Sequence, residues 1–273
     1  MHYLSTRSHQ ETATSAEAVL RGLAPDGGLY VPETIPAAEL SDAALISLDQ
    51  YALTAHILKK LLPDLPAAAV EDAVREGYSG KFETEDLTPT VQVDKAHVLE
   101  LYHGPTSAFK DMALCLLPRL IAASCAACGV KEDVLVLTAT SGDTGKAALA
   151  GFADAPHARV MVFYPEGGVS EVQRAQMVTQ EGKNVCVCAV RGNFDDAQRG
   201  VKEVFAQFKG TRVRLSSANS INIGRLAPQV AYYFKAYADL RKKGVVKAGA
   251  PVDFIVPTGN FGNILAGYLA KRM

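Results

Sequence analysis

The segment Val134-Leu135-Val136-Leu137, followed by Thr140-Ser141-Gly142-Asp143-Thr144-Gly145 and a helical run through Ala153, decides the fold. A short, unbroken apolar strand that ends in a glycine turn and passes into a helix is the unit of a parallel sheet. The same grammar recurs downstream. Residues 159–164 read as a strand with 169–181 as its helix, and 184–190 as a strand followed by a helix over 195–209. Residues 254–256 read as a late strand, after which a glycine turn opens a last helix. Strands apolar on both sides must be covered on both sides. The expected fold class is therefore α/β, a parallel sheet with helices on both faces.

Upstream the pattern changes. Residues 15–21, 43–62 and, after Pro66, 65–78 carry apolar side chains at helical spacing. Between them Ala24-Pro25-Asp26-Gly27-Gly28-Leu29-Tyr30-Val31-Pro32 is dense in turn formers. No convincing strand alternates with these helices. Residues 1–80 read as a small, mostly helical N-terminal domain, and 81–273 as the α/β region. The last helix, begun at Ile264, runs to Lys271-Arg272-Met273 without a Gly or Pro stop signal. The expectation is that the α/β region is incomplete at its C-terminal end.

Composition narrows the function classes. The chain has 273 residues, 48% apolar and 21% charged, which supports a large core and one to two domains. With 28 basic against 29 acidic side chains, a net charge of -1 excludes the basic footprint of a nucleic-acid binder. No run reaches the roughly 18 unbroken apolar residues of a membrane helix. The richest, 114–128, is interrupted by Pro118 and Arg119, and the start Met1-His2-Tyr3-Leu4-Ser5-Thr6-Arg7 lacks a signal-peptide core. A cytoplasmic protein with no membrane partner is expected. Cys125 and Cys128 have zinc or redox spacing, but Cys115, Cys186 and Cys188 supply no second pair. All five read as reduced, buried thiols, with no metal site.

Four places carry chemistry. Val256-Pro257-Thr258-Gly259-Asn260-Phe261-Gly262-Asn263-Ile264 joins a strand to a helix start, where converging N–H groups suit a phosphate; a tight turn without a ligand fits equally. Ser141-Gly142-Asp143-Thr144-Gly145-Lys146 resembles a nucleotide P-loop, but its glycines are separated by two residues instead of four and Ala147 stands where Ser or Thr is required. It offers hydroxyls and N–H donors to a small carboxylate or phosphate; helix capping by Ser141 or Asp143 is the other account. Lys110 begins an otherwise apolar helix running to Cys128, a place that favours anions. Partly desolvated there, its amine would have the depressed pKa of a Schiff-base lysine; pairing with Asp111 is the alternative. Ser216-Ser217-Ala218-Asn219-Ser220-Ile221-Asn222-Ile223-Gly224-Arg225 follows a strand and could receive a second phosphate, or hold Arg225 in a structural ion pair.

At these places the sequence resembles the threonine synthases, fold-type II pyridoxal-phosphate enzymes with a tryptophan synthase β-like sheet. The resemblance rests on Tyr3-Leu4-Ser5-Thr6-Arg7, the 26–32 segment, His103-Gly104-Pro105-Thr106 leading to Phe109-Lys110-Asp111, and the three loops just described. It covers the whole chain. Related dehydratases and cysteine synthases usually have Asn where this chain has Asp143, and lack the N-terminal segment.

The resemblance implies that Lys110 forms the internal aldimine with pyridoxal 5'-phosphate and later shuttles protons, with Phe109 beside it. It implies that Gly259, Asn260, Phe261, Gly262 and Asn263 hold the cofactor phosphate. Ser141, Gly142, Asp143, Thr144 and Gly145 would grip the α-carboxylate of O-phosphohomoserine, and Asn219, Ser220 and Arg225 its phosphate. The reaction implied is β,γ-elimination and replacement giving threonine, by a monomer or homodimer. The pyridine nitrogen's hydroxyl partner would come from a C-terminal part that looks absent, so weak cofactor binding and poor turnover are expected. A related phospho-lyase releasing 2-oxobutyrate, and a truncated non-catalytic remnant, are the alternative readings.

Overall fold

The computed structural model describes residues 1–8, 10–210 and 212–273. The chain opens with β1 (Tyr3–Ser5), β2 (Thr12–Ala13), α1 (Ser15–Arg21) and β3 (Tyr30–Pro32). These three strands form an antiparallel sheet in the order β2-β1-β3, which the sequence reading did not foresee. They are two or three residues long and pair across distant segments, so no alternation could mark them. Next come α2 (Asp42–Ser47), α3 (Gln50–Leu61) and α4 (Ala67–Tyr78). The single helical stretch expected over 43–62 is thus two helices. Leu48 is extended and Asp49 restarts the chain, its carboxylate accepting from the Ala52 N–H at 2.7 Å.

A hairpin of β4 (Thr90–Val93) and β5 (Ala96–Leu99) leads to α5 (Asp111–Leu114) and α6 (Leu117–Cys128). The helix expected from Lys110 to Cys128 is therefore broken, with Pro118 in the first turn of the second piece. Asp111–Cys128 is long and apolar enough to cross a membrane by length and composition alone, although Pro118 and Arg119 interrupt its apolar run. It is nonetheless two helices folded into the interior.

The remainder is β6 (Asp133–Ala139), α7 (Asp143–Phe152), β7 (Ala158–Pro165), α8 (Glu171–Val178), β8 (Val185–Val190), α9 (Phe194–Gln207), β9 (Val213–Ser217), α10 (Ile223–Lys242) and α11 (Gly262–Arg272). The four strands form a parallel sheet in the order β8-β7-β6-β9, as the apolar runs required. Val136 pairs with Val160 on one side and Ser216 on the other. One face joins the main core; on the other, Leu137 and Ala139 pack with Ala197 and Val201 of α9. The expected strand at 254–256 does not form. The stretch has no regular secondary structure and is largely exposed, Ile255 at 96%, with no ladder partner among the described residues.

The main core is continuous across the expected boundary near residue 80. It runs from Tyr3, Leu53 and Leu58 through Leu120 and Phe152 to Val230 and Leu269. The Tyr78 hydroxyl donates to the Met112 carbonyl at 2.6 Å, and Arg241 forks onto Asp42 at 2.8 and 2.7 Å. The reading of all five thiols as buried fails at Cys186, which is exposed on the edge strand β8; Cys115 and Cys125 are buried, Cys128 and Cys188 half-buried.

Candidate active site

In a parallel sheet the loops that open at the carboxyl ends of neighbouring strands face one another. Here β6 and β9 are neighbours, and the Asn219 amide Nδ2 donates to the Ala139 carbonyl at 2.9 Å, tying the two loops together. The loop into α7 is shaped by Thr140, whose Oγ1 accepts from the N–H groups of Gly142 and Gly145, both at 2.9 Å. Neither Ser141 nor Asp143 caps this helix; Gly142 stands at the N-cap with no side-chain bond. Its φ of +139° suits glycine alone, and a Cβ there would lie 2.3 Å from the Gln173 carboxamide. That space lets Gln173 donate to Asp143 Oδ1 at 2.9 Å.

Lys110 stands at the N-cap of α5. The turn that presents it is closed by the buried Asp111 carboxylate, which accepts from the Thr106 N–H at 2.8 Å and the Thr106 hydroxyl at 2.6 Å. The starts of α5 and α7 meet because α7 approaches α5 closely at Gly151, where a Cβ would fall 2.2 Å from the Leu114 carbonyl oxygen. Lys110 Nζ thus lies 3.7 Å from Asp143 Oδ2, and Lys146 Nζ lies 3.3 Å from Asp143 Oδ1. The amine also sits 4.2 Å from the centre of the Phe109 ring, with the Arg225 guanidinium 5.9 Å from the same ring.

Burial pushes the Lys110 pKa down; Asp143 opposes this, while Arg225 and Lys146 reinforce it. Burial alone would raise Asp143, but the Gln173 hydrogen bond and the two lysines outweigh it and hold the carboxyl low. Burial raises Asp111, against its bonds from Thr106. Arg225 is 1% exposed, and its Nε and Nη1 find no partner among the described residues. Burial brings its pKa down to about 10.

The loop before α10 is held by Asn222. Its Oδ1 accepts from the Gly224 N–H at 2.8 Å, and its Nδ2 donates to the carbonyls of Ser217 and Val19 at 2.9 and 3.0 Å. Ser220 borders the turn into α11, for a Cβ on Gly262 would fall 2.8 Å from its Oγ. Asn263 is fixed from α10: its side-chain oxygen accepts from the Tyr232 hydroxyl, and the Tyr233 hydroxyl donates to its carbonyl at 2.9 Å. Gly259, Asn260 and Phe261 are exposed.

The residues singled out in the sequence therefore form a connected set. Lys110 and Phe109 meet Asp143 and Arg225, and the 219–225 loop meets the turn at Gly262. Four members are less available than expected: the Asn219 Nδ2 and the Asn263 side-chain oxygen are engaged with the protein, and the Gly142 and Gly145 N–H groups are taken by Thr140 Oγ1. Three residues escaped the sequence reading: Thr140, Gln173 and Lys146. Thr140 directly follows β6 and Gln173 completes a capping box with Ser170, both visible signals. Lys146 follows the glycine loop as an ordinary helix lysine, and nothing local announces its burial.

A family profile described as threonine synthase N terminus matches residues 2–78, and one described as pyridoxal-phosphate dependent enzyme matches 82–273. The threonine synthase of Pseudomonas aeruginosa is 42% identical over 281 residues, covering 100% of this chain and 57% of its own length. Threonine synthase-like 1 of Homo sapiens is 39% identical over 279 residues, covering 94% of this chain and 37% of its own. The pyridoxal-phosphate-bound threonine synthase of Brucella melitensis superposes with a TM-score of 0.85 at 39% identity, over 100% of this chain and 58% of that one. The chain thus spans between about a third and three fifths of these relatives' length.

Proposed function

Because the chain belongs to the pyridoxal-phosphate-dependent enzymes and opens with the N-terminal module of threonine synthases, we propose that it converts O-phosphohomoserine and water into threonine and phosphate. On this reading it is a carbon–oxygen lyase of threonine biosynthesis. It works in the cytoplasm as a monomer or homodimer.

The residues present suit the cofactor. An anionic aldehyde needs a lysine that gives up its proton readily, positive charge in excess, and a glycine turn at a helix start. Lys110, Lys146 and Arg225 outnumber Asp143 and Asp111, and the turn at Gly262 opens the eleven-residue α11. Bound pyridoxal phosphate supplies an electron sink for the carbanion left when the substrate loses its Cα proton.

Lys110 would hold the cofactor through its aldehyde, and its amine is placed to move protons at the substrate carbons. The Phe109 ring under its Nζ limits where the amine can swing. Ser141, Gly142, Asp143, Thr144 and Gly145 bind the α-carboxylate at the start of α7, through the Ser141 and Thr144 hydroxyls and the N–H groups that Thr140 does not already hold. Gly259, Asn260, Phe261, Gly262 and Asn263 bind the cofactor phosphate at the start of α11. Asn219, Ser220 and Arg225 take the substrate phosphate, and the two unmatched Arg225 nitrogens, Nε and Nη1, support that role, because buried donors are rarely left without an acceptor.

One observation carries the reading: a desolvated amine at ion-pair distance from Asp143, sharing the Phe109 ring with a buried, unmatched guanidinium. Addition of pyridoxal phosphate to the purified chain is expected to give visible absorbance that Lys110→Ala abolishes. Supplied with O-phosphohomoserine, the coloured chain is expected to release threonine and phosphate. Absence of colour, or 2-oxobutyrate and ammonia in place of threonine, would overturn the proposal.

A further inference from the structure

Asp143 has more partners than one amine requires. Its Oδ1 accepts from Gln173 at 2.9 Å and lies 3.3 Å from Lys146 Nζ, while its Oδ2 faces Lys110 Nζ at 3.7 Å. Lys146 is 8% exposed, next to the buried Ala147, Ala148 and Leu149. Among the described residues, Asp143 is the only carboxylate at ion-pair distance from it. A lysine removed from water and given half of a carboxylate is costly unless the arrangement serves something else.

We propose that Lys146 is a positioning residue for Lys110: it grips Asp143 from the Oδ1 side, so that one carboxylate serves two lysines. Lys110 is thereby left with the second oxygen at ion-pair distance, without a hydrogen bond of its own. The inference deepens the reading above, and rests on it only for the use made of the Lys110 amine. A carboxylate divided between two ammonium groups stabilises each less than it would one, and the second ammonium adds repulsion. Both effects favour the free base, the form that attacks a carbonyl carbon. The charges acting on Lys110 are Asp143 and Lys146 from α7 and Arg225 from α10; Asp111, its neighbour on α5, is coupled to Lys146 and Arg225 instead. Arg225 and Lys146 push in the same direction, and only Asp143 opposes them directly.

The test is competitive acetylation of the 273-residue chain without cofactor, followed against pH by mass spectrometry at Lys110 and Lys146. Lys146→Met is expected to move the Lys110 midpoint upward and to slow its labelling by roughly three- to tenfold at about pH 8. Lys146→Arg is expected to leave it near the wild-type value. Asp143→Asn, which removes the shared anion, is expected to lower the midpoints of both lysines. An unchanged or lowered Lys110 midpoint in folded Lys146→Met overturns the inference. If that variant does not fold, a fall confined to Lys110 in Asp143→Asn overturns it equally. Borohydride trapping of pyridoxal phosphate on Lys110 tests the functional reading separately. Trapping without the acetylation shifts sinks only the sharing, and shifts without trapping sink only the function.

Discussion

A lysine half-withdrawn from water, as Lys110 is, carries a cost in the folded chain that the unfolded chain avoids. Its folded pKa lies below the unfolded value near 10.4, so the ammonium is the disfavoured form. That cost is fully present below the folded pKa and is relieved as pH rises through it toward the unfolded value. Lys110→Met is therefore expected to stabilise the chain by about 1 kcal/mol near neutral pH, raising Tm by roughly 2–3 °C while abolishing cofactor attachment. The difference from wild type should shrink in alkaline melts; a difference that grows with pH would contradict the assignment. Thr140 makes the opposite case. Its hydroxyl satisfies two N–H groups of the Ser141–Gly145 loop, and Thr140→Val leaves both in a buried place. Urea titration is expected to show a loss of about 2–3 kcal/mol.

Helices α5 and α7 decide where the chemistry sits, because the amine begins one and its carboxylate begins the other. Their spacing is set at Gly151 against the Leu114 carbonyl, a backbone atom that cannot rotate away. Gly151→Ala is expected to force the helices apart, costing about 1–3 kcal/mol in denaturant melts and weakening cofactor binding together with stability. At this scale the sequence was most readable where structure is local. The apolar runs of β6, β7 and β8 and the glycine loop behind Val134–Leu137 announce themselves within ten residues. β1, β2 and β3 do not, since each is three residues or fewer and exists only through its partners. Residues 254–256 erred in the other direction, being apolar enough for a strand yet lacking a neighbour to make one. Lys146 was missed because its burial follows from what α5 and α8 bring against α7, a fact no single helix pattern contains.

Across the whole molecule, the first eighty residues and the parallel sheet share one hydrophobic core, joined by contacts of α1 with α6 and of α3 with α10. Neither part can lose its partner without uncovering the face it packs on. Far-ultraviolet and tyrosine signals are therefore expected to report one coincident thermal transition, and residues 81–273 expressed alone should lack a sharp one. The Lys110 neighbourhood was legible as a set of motifs, but their convergence depends on Asn222 reaching the Val19 carbonyl over a long chain separation. The exposed ribbon at 251–256 bears on durability. Proteases seize accessible chain outside regular secondary structure, and most of this segment is exposed and belongs to no helix or sheet among the described residues. A cut there would part the bend at Gly259–Asn263 from the covalent chain while sparing Lys110. The nicked protein would then keep its amine but hold the phosphate bend only through what α11 packs against.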